Sequence, residues 1–434
     1  MERGLKMSEP LTRRLKGQSS AETRSAILDL IRSSGQVSRI ELSDRSGMTE
    51  ATISKIVRAL LNDGLIVEAG YRDSTGGKRP VLLTLNADSR YALGISLDTR
   101  HIVYVLSDVS GRAVQKMTTD GTGAAEPANM IRRVAAELGR FLRMNGIDRF
   151  DVIGIGVAGA GRLDSSGGVL RSSRQAAGWE DFAVEDALRD ASGFPVILDN
   201  DANCAALGEF WSGRVPATRD FATVYMATGI GCGIVINGNI YRGASSNVGE
   251  IGHVILDIDG PECWCGSRGC LETLAAPAVV VQRGRQNAAL AERLGIADPD
   301  VDVRRAFTLI GTAAADGDAG AVALITEAAT YLSKAILSVV NILDLDTLFL
   351  GGPGFAQAGG IYLETVRHEL DQFAFMRTVH PVSVEMSAVG PEAAALGAAS
   401  VVLHSHLTPH HASPRRTAHS NPKNAKRRSA EVIT

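Results

Sequence analysis

The chain has 434 residues, of which 45% are apolar and 21% are charged, as is typical of globular proteins. This composition excludes wholesale disorder and a fibrous chain, and no uninterrupted apolar run reaches the roughly 20 residues that span a bilayer. At about 100–200 residues per domain, the length allows two to four domains.

The cysteine pattern and the N-terminus indicate a chain that stays inside the cell. Three of the 5 cysteines fall within residues 263–270, which is unlike a disulfide framework. The basic N-terminus has no apolar segment behind it, so it does not resemble a secretory signal. We therefore expect a cytoplasmic protein without a membrane segment.

The net charge of −3 conceals an uneven distribution along the chain. Residues 1–90 hold 15 Lys and Arg against 11 Asp and Glu, and residues 405–434 hold 6 against 1. The remaining part, 91–404, therefore carries a net charge of −12. A basic first domain on an acidic body indicates that the N-terminal part meets a polyanion such as DNA.

The N-terminal elements predict a winged helix-turn-helix over 20–85, preceded by a flexible arm at 1–19. Apolar residues at helical spacing predict a first helix over 21–34. Ser38, with Glu41 three residues on, forms a capping box for a second helix, and Thr49 caps a third. Two strand-like runs, 65–69 and 81–85, then form a hairpin, which would be the wing.

The third helix and the hairpin tip offer polar side chains that suit DNA. In such a module the second helix of the motif enters the major groove, while a basic wing contacts phosphate or the minor groove. A winged helix that binds another protein is the alternative. The candidate DNA contacts are Thr49, Thr52, Ser54, Lys55, Arg58, Lys78 and Arg79.

From residue 91 onward, strand-like runs alternate with helical stretches, which is typical of an α/β body. The strand-like runs are 93–97, 102–106, 152–157, 196–199, 221–226, 233–236 and 347–350. Long helices are predicted over 127–145, 321–343 and 391–404. Residues 405–434 are rich in His, Pro, Ser and basic residues, and we expect a disordered tail.

One histidine and three cysteines make a candidate metal centre: His253, Cys263, Cys265 and Cys270. One His and three Cys form a closed tetrahedral set for a structural zinc ion. Gly266 and Gly269 allow the tight turns that would direct three thiolates at one point. The spacing favours zinc, while a redox pair or free thiols remain the alternative.

These residues also resemble the signature of the ROK family (repressors, open reading frames and sugar kinases). Gly249–His253 followed by Cys263–Glu272 matches the family's GE-x-GH and CxCGxxGCxE motifs throughout. Further matches are Gly154–Gly159, Asp199–Asn203 and Thr228–Gly231. The resemblance covers roughly 20–400 and implies a winged helix-turn-helix followed by a two-lobed actin-like ATPase/hexokinase-type body. It also implies zinc at the four ligands.

The resemblance further implies a sugar site. The residues that match the family's sugar contacts are Asn200, Asp201, Glu250, His253 and Glu272. The residue that matches Asp201 is the kinases' general base, which takes the proton from the attacking hydroxyl. Taken singly, Asn200 and Asp201 could instead cap the following helix. Gln175 stands where the family often has Asn.

The first phosphate-binding loop of the family departs from its pattern here. Sugar kinases of this superfamily have a DxGGTK-like hairpin, which aligns with Ser96–His101. The acidic residue has become Ser96, and the two glycines have become Asp98 and Thr99. Loss of the glycines and a carboxylate facing the phosphate position both oppose ATP binding.

The sequence therefore predicts a sugar-responsive transcriptional regulator, most simply a repressor. Its expected partners are operator DNA and a sugar or sugar phosphate effector, and it is expected to form a homodimer or homotetramer. The alternative is an ATP-dependent sugar kinase with an appended DNA-binding domain, in which Asp201 would be the catalytic base. A third possibility is a protein-interaction module built on a decayed sugar fold.

Overall fold

The structure is a computed structural model that describes residues 20–71, 79–123, 125–164, 168–172, 178–212 and 220–407. The predicted arm, Lys78, Gln175 and the tail beyond residue 407 lie outside the described residues.

The N-terminal module contains three helices and a small sheet, as the caps predicted. Its helices are α1 (Ser20–Ser34), α2 (Arg39–Ser46) and α3 (Glu50–Asn62). Ser38 and Glu41 form the reciprocal capping box at the start of α2, and Gly47 ends it in the left-handed conformation with φ 66°. The sheet has three strands rather than the expected two. They are arranged in the order β1 (Val37–Ser38), β3 (Val81–Leu85), β2 (Ile66–Tyr71).

The first lobe is built on a five-stranded sheet of order β11-β7-β4-β5-β6. Strands β4, β5 and β6 form an antiparallel meander, and β7 and β11 continue it in parallel with β4. The bounds are β4 Tyr91–Leu97, β5 His101–Asp108, β6 Ala113–Asp120, β7 Val152–Gly159 and β11 Val196–Asn200. Helices α4 (Pro127–Met144) and α5 (Val184–Ser192) belong to this lobe, as does a small sheet of β8 (Arg162–Asp164), β9 (Val169–Ser172) and β10 (Phe182–Ala183).

The second lobe repeats the strand pattern of the first. Its sheet has the order β14-β13-β12-β15-β16, again with three antiparallel strands followed by two parallel ones. The bounds are β12 Phe221–Met226, β13 Ile230–Ile236, β14 Asn239–Ile240, β15 Thr347–Gly351 and β16 Ser383–Met386. This repetition confirms the two-lobed α/β body.

Eight of the described helices complete the body. Helix α6 is Asp201–Trp211, and the second lobe carries α7 Leu271–Ala275, α8 Pro277–Gln286, α9 Ala288–Leu294, α10 Val303–Ala315, α11 Ala319–Leu343 and α12 Gly359–Phe373. The last helix, α13, is Ala393–Leu407. The tail was expected to begin at 405, but α13 continues through Leu407, because this residue is buried against the N-terminal module.

Two helices, α6 and α13, lie between the two sheets. Helix α13 lies directly on the first sheet, since a Cβ at Gly94 or Gly156 would approach a carbonyl oxygen of α13 to 1.9 Å. Helix α6 lies on the second sheet, where a Cβ at Gly233 would come within 2.2 Å of the Ala202 carbonyl. Glycine thus permits the close contact of sheet and helix on both sides.

The N-terminal module shares one hydrophobic core with the body. Ile27, Ile31 and Leu60 of the module and Phe210, Trp211 and Leu403 of the body belong to one continuous buried cluster. The Ser25 hydroxyl also donates a buried hydrogen bond of 3.1 Å to the Leu407 carbonyl. The module is therefore packed onto the body rather than tethered to it by a linker.

Helix α11 is long and apolar enough to cross a membrane by length and composition, with a mean hydropathy of 1.4 in its most apolar window. Its apolar side is buried, with Ile325, Leu332 and Ile336 at 0% exposure in the core of the second lobe. This burial is typical of the core helix of a globular domain.

Candidate functional site

A cleft of about 340 Å³ opens between the two lobes. The β4–β5 turn of the first lobe and the β12–β13 turn of the second both line it, as the repeated topology requires. All five side chains that the sequence analysis assigned to a sugar lie in its wall: Asn200, Asp201, Glu250, His253 and Glu272. Residues that are distant in sequence thus converge on one concave surface.

Asn200 and Asp201 stand where β11 ends and α6 begins. The Asn200 side chain caps α6 by accepting the Ala202 and Asn203 N–H groups at 2.8 and 3.3 Å. Asp201 accepts the Ala202 N–H at 2.9 Å through one carboxylate oxygen. The capping role that the sequence suggested for Asn200 is therefore confirmed, and it fixes the start of α6 in the wall of the cleft.

The carboxyl groups in the cleft influence one another's protonation. Burial, together with the charges of Glu250 and Asp98, raises the pKa of Asp201 to about 7, although the hydrogen bond from the Ala202 N–H lowers it. Burial and the charge of Glu272 also raise the pKa of Glu250, while Arg162 lowers it. Asp201 therefore can exchange a proton near neutral pH, as a general base must.

Glu272 is held in place by two protein donors. One carboxylate oxygen accepts the Ile230 N–H at 3.2 Å, and the other accepts the indole N–H of Trp264 at 3.1 Å. Arg162 stacks on the Trp264 ring at 5.5 Å, and both residues line the cleft. Sequence reasoning missed Trp264 and Arg162, although the position of Trp264 between two of the candidate metal-ligating cysteines was a usable signal.

The four candidate metal ligands converge beside the cleft. One ligand atom from each of His253, Cys263, Cys265 and Cys270 lies within 4.8 Å of the others. The Cys265 and Cys270 sulfurs are 3.7 Å apart, and Cys263 Sγ lies 3.6 Å from His253 Nδ1. Gly269 allows this loop to close, because a Cβ there would approach the Asp257 carbonyl oxygen to 1.6 Å. The cluster could bind a metal ion.

The turn that replaces the family's first phosphate loop has a different set of contacts. Asp98 Oδ1 accepts the Arg100 N–H at 2.9 Å and so closes its own turn. The Arg100 guanidinium forms an ion pair with Asp302 of the second lobe at 2.8 Å. Its N–H and its side chain are thus both engaged within the protein.

A second pair joins the lobes behind the cleft. Arg242, which follows β14 of the second lobe, binds both carboxylate oxygens of Asp199 on β11, at 3.0 and 2.5 Å. Asp199 also accepts the Asn203 side-chain amide at 3.1 Å. This partly buried bidentate pair holds the strand that positions Asn200 and Asp201.

The candidate DNA contacts on α3 lie on the outer side of the N-terminal module. Thr49 caps α3 by accepting the Thr52 N–H at 3.3 Å, and the two hydroxyl groups are 2.9 Å apart. Lys55, Arg58 and Arg79 are exposed, and Ser54 is half-buried. Ile53, Val57 and Leu60 of the same helix are fully buried, so the polar side of α3 faces outward.

Asp201→Asn should stabilise the sugar-free protein more at pH 8 than at pH 5. The pKa of this carboxyl rises from 3.8 to about 7 on folding, so the folded protein holds a proton that the unfolded chain releases between these values. The unfolding free energy therefore falls as pH rises through this window, and the full loss is present above it. We expect the advantage of the variant to grow by about 2 kcal/mol, measured by urea unfolding.

The control for this prediction is Glu364→Gln, which removes a carboxylate from the exposed surface of α12. Its effect on the unfolding free energy should be small and equal at the two pH values. An Asp201→Asn advantage that does not depend on pH would contradict the raised pKa.

Comparison with known proteins gives separate matches for the N-terminal module and for the two-lobed body. A model of winged helix-turn-helix DNA-binding modules matches residues 21–67. The model of the ROK family matches residues 92–405, which is most of the chain. This chain belongs to the ROK family.

Relatives within the family include both repressors and kinases. The xylose repressor of Caldicellulosiruptor bescii is 26% identical over 371 residues, which cover 85% of this chain and 92% of the repressor. The glucokinase of Halalkalibacterium halodurans is 29% identical over 311 residues, covering 71% of this chain and 93% of the enzyme. A crystal structure of a ROK family transcriptional regulator, a homologue of the Escherichia coli MLC protein, gives a TM-score of 0.69 at 24% identity. It covers 90% of this chain and 98% of the regulator.

Proposed function

We propose that this protein is a sugar-responsive transcriptional repressor. The winged helix binds operator DNA, a sugar binds in the cleft, and the two events are coupled through the body. The similarity to a xylose repressor over 85% of the chain supports this function, because the aligned length exceeds that of the ROK body alone. We assign the sugar contacts to Asn200, Asp201, Glu250, His253 and Glu272.

The observation that carries the proposal is the contact between the N-terminal module and helix α6. The guanidinium of Arg32 on α1 lies over the rings of Phe210 and Trp211, at 4.8 and 4.7 Å. It also donates hydrogen bonds to the carbonyl oxygens of these residues, at 3.0 and 3.2 Å. Helix α6 begins at Asp201 in the cleft, directly after its cap Asn200, so one rigid element connects the sugar site to the DNA-binding module.

We infer that the His and Cys cluster holds a structural zinc ion. Four ligands at a Zn–S distance of about 2.3 Å stand about 3.8 Å apart in a tetrahedron. The distances of 3.7 Å between Cys265 and Cys270 and of 3.6 Å between Cys263 and His253 fit this geometry. The ion would fix the loop that carries Glu272. His253 would ligate through Nδ1, which leaves Nε2 as its nitrogen for the sugar.

Sugar phosphorylation is the competing function. Asp201 can act as a base. The family's second phosphate-binding loop usually reads GTGIG, and Thr228–Gly231 matches its last four residues and lies in the wall of the cleft. The first loop opposes this function, because Asp98 adds a negative charge and Arg100 is paired with Asp302. A binding protein that keeps the sugar contacts and lacks a phosphate cradle fits these observations better.

The remaining assignments follow from the proposed function. Winged helix-turn-helix repressors read paired half-sites, so we propose a homodimer or homotetramer on a palindromic operator. A regulator of carbohydrate genes acts in the cytoplasm, where the thiols of the zinc site stay reduced. We assign the operator contacts to the exposed face of α3 and to the wing.

Lys55→Ala with Arg58→Ala should weaken operator binding about 10- to 100-fold and leave sugar binding intact. Both cations are exposed, and among the described residues neither forms an ion pair, so both are available for phosphate. The logarithm of the operator binding constant falls linearly with the logarithm of the salt concentration, and losing two phosphate contacts should reduce the magnitude of this slope by about 1.8. The measurement is fluorescence anisotropy on a duplex selected from random DNA, with sugar affinity followed by calorimetry.

The matched control is Arg140→Ala with Arg143→Ala, which removes the same charge from the exposed side of α4. It should change neither the affinity for the duplex nor the salt slope. Selection that yields no duplex, or a duplex whose affinity no free or phosphorylated sugar changes, would contradict a sugar-responsive regulator. Sugar-dependent ADP release at an enzymatic rate would instead establish the kinase.

A further inference from the structure

The charged side chains of the cleft are mostly acidic. Among the residues that the structure describes, four carboxylates and one guanidinium, that of Arg162, line it. The carboxylates are Asp98, Asp201, Glu250 and Glu272. A cleft with such a charge balance attracts hydrogen-bond donors and repels anions, because low-dielectric walls strengthen both effects.

Asp98 is set apart from the other three carboxylates by its position. It comes from the β4–β5 turn of the first lobe, and its charge is close enough to Asp201 and Tyr225 to raise the pKa of both. Its Oδ1 is used to close its own turn on the Arg100 N–H. The carboxylate is therefore held at the edge of the cleft by local backbone geometry.

The pose of a phosphorylated sugar follows from the role of Asp201. A kinase base contacts the hydroxyl that receives the phosphoryl group, so a sugar phosphate bound in the same pose has its phosphate beside that base. Asp98 lines the cleft together with Asp201, and its charge acts on the Asp201 carboxyl, so a phosphate beside that base would stand near both groups. A phosphate dianion there would face the carboxylate of Asp98 and the carboxyl group of Asp201, and the only strong cation of the first loop, Arg100, is paired with Asp302.

We propose that Asp98 makes this cleft selective for an uncharged monosaccharide and excludes the corresponding sugar phosphate. The inference rests on the proposed function, because it concerns the effector of the same cleft. Uncharged sugars suit the site, since their hydroxyl groups donate hydrogen bonds to carboxylates without adding negative charge. Asp98 is in this view a specificity-determining residue that acts by repulsion.

The test compares each free sugar with its own phosphate ester. Glucose with glucose 6-phosphate and N-acetylglucosamine with its 6-phosphate are suitable pairs, and xylose serves as a further uncharged sugar. Calorimetry on the full-length protein measures the dissociation constant of each ligand. The readout is the dissociation constant of the ester divided by that of the free sugar. We expect the free form of the bound sugar to bind at least about tenfold more tightly than its ester.

Asp98→Asn keeps the oxygen that closes the turn and removes the charge, so it should lower this ratio about tenfold. Glu364→Gln, on the exposed surface of α12, removes one negative charge far from the cleft and should leave the ratio unchanged. If Asp98→Asn binds the free sugar in preference to the ester as strongly as the unmodified protein does, Asp98 does not determine the selectivity.

The outcomes separate this inference from the proposed function. A protein that releases its operator with a sugar phosphate and ignores the free sugar remains a sugar-responsive regulator, and the inference is wrong. A protein that binds no ester and no free sugar contradicts the proposed function itself. If only the free sugar releases the operator from the unmodified protein, and the sugar phosphate also releases it from Asp98→Asn, the result supports both the proposed function and this inference.

Discussion

Cys265→Ser should lower the zinc content from about one ion per chain to a small fraction of that value and should abolish measurable sugar binding. The substitution removes one of four ligands from a set whose atoms lie within 4.8 Å of one another. A closed structural site contributes folding free energy, which is lost with the metal. We expect the second lobe to lose several kcal/mol of stability as well.

The expected loss of sugar affinity follows from where the sugar residues stand. His253 belongs to both the metal cluster and the cleft wall, and Glu272 lies two residues after the ligand Cys270. Trp264, between two ligand cysteines, donates its indole N–H to Glu272 at 3.1 Å. Without the ion, the loop can no longer direct these groups at one sugar. Metal content is measured by atomic spectroscopy and sugar affinity by calorimetry.

Cys232→Ala is the matched control, because this buried thiol lies on β13 and is not part of the metal cluster. It should cost some stability and keep both the zinc and the sugar affinity. A Cys265→Ser protein that loses zinc but binds sugar with unchanged affinity would show that the ion and the sugar site are independent. Unchanged zinc content would refute the ligand assignment.

Local signals explain why the N-terminal module could be predicted closely. Caps act within one turn of the chain, so Ser38 and Glu41 predicted where α2 begins before any tertiary contact was known. The strands of the body followed in the same way, since each is an apolar run ended by a turn. Strand Phe221–Met226, for example, has the predicted bounds.

Elements without an apolar pattern were missed. Strand β6 reads Ala-Val-Gln-Lys-Met-Thr-Thr-Asp and is exposed along most of its length at the edge of the first sheet. Edge strands bury little, so their sequences carry little alternation. The repeated strand order of the two lobes could not be predicted from the sequence either, because the two sheets are built from different residues.

Contacts between distant positions were the second class that could not be predicted. The pairs Asp199 with Arg242 and Arg100 with Asp302 join the two lobes. Nothing in the local sequence selects these partners from the many other charged residues. For the candidate site, the motif supplied the residue types, while the stacking of Arg162 on Trp264 required the folded chain.

Arg32→Met should leave operator and sugar binding largely intact and remove most of the coupling between them. Coupling between two sites is commonly about 5- to 150-fold, and we expect the ratio of operator affinities without and with sugar to fall below about threefold. Methionine fills a similar volume but cannot donate to the two α6 carbonyls or stack as a cation on Phe210 and Trp211. Anisotropy titrations with and without saturating sugar measure the ratio.

The physical reason is the position of α6. Its 11 residues span about 16 Å, from Asp201 in the cleft to Trp211 at the N-terminal module. A sugar that shifts the start of this helix shifts its end as well, since a packed helix moves as a rigid element. The Arg32 side chain is 3% exposed and is held on its own helix by Asp29 at 2.9 Å, so it transmits that shift to α1.

Arg39→Met is the matched control, because Arg39 pairs at 3.2 Å with Glu68 inside the N-terminal module and is partly exposed. It should keep the full sugar response. Retained binding of both ligands also serves as the folding check for Arg32→Met, since a misfolded module or body would lose one of them.

A second route exists through α13, whose Leu407 carbonyl accepts the Ser25 hydroxyl at 3.1 Å. If Arg32→Met kept the full ratio, α6 would not be the coupling element, and Ser25→Ala would then test α13 in its place.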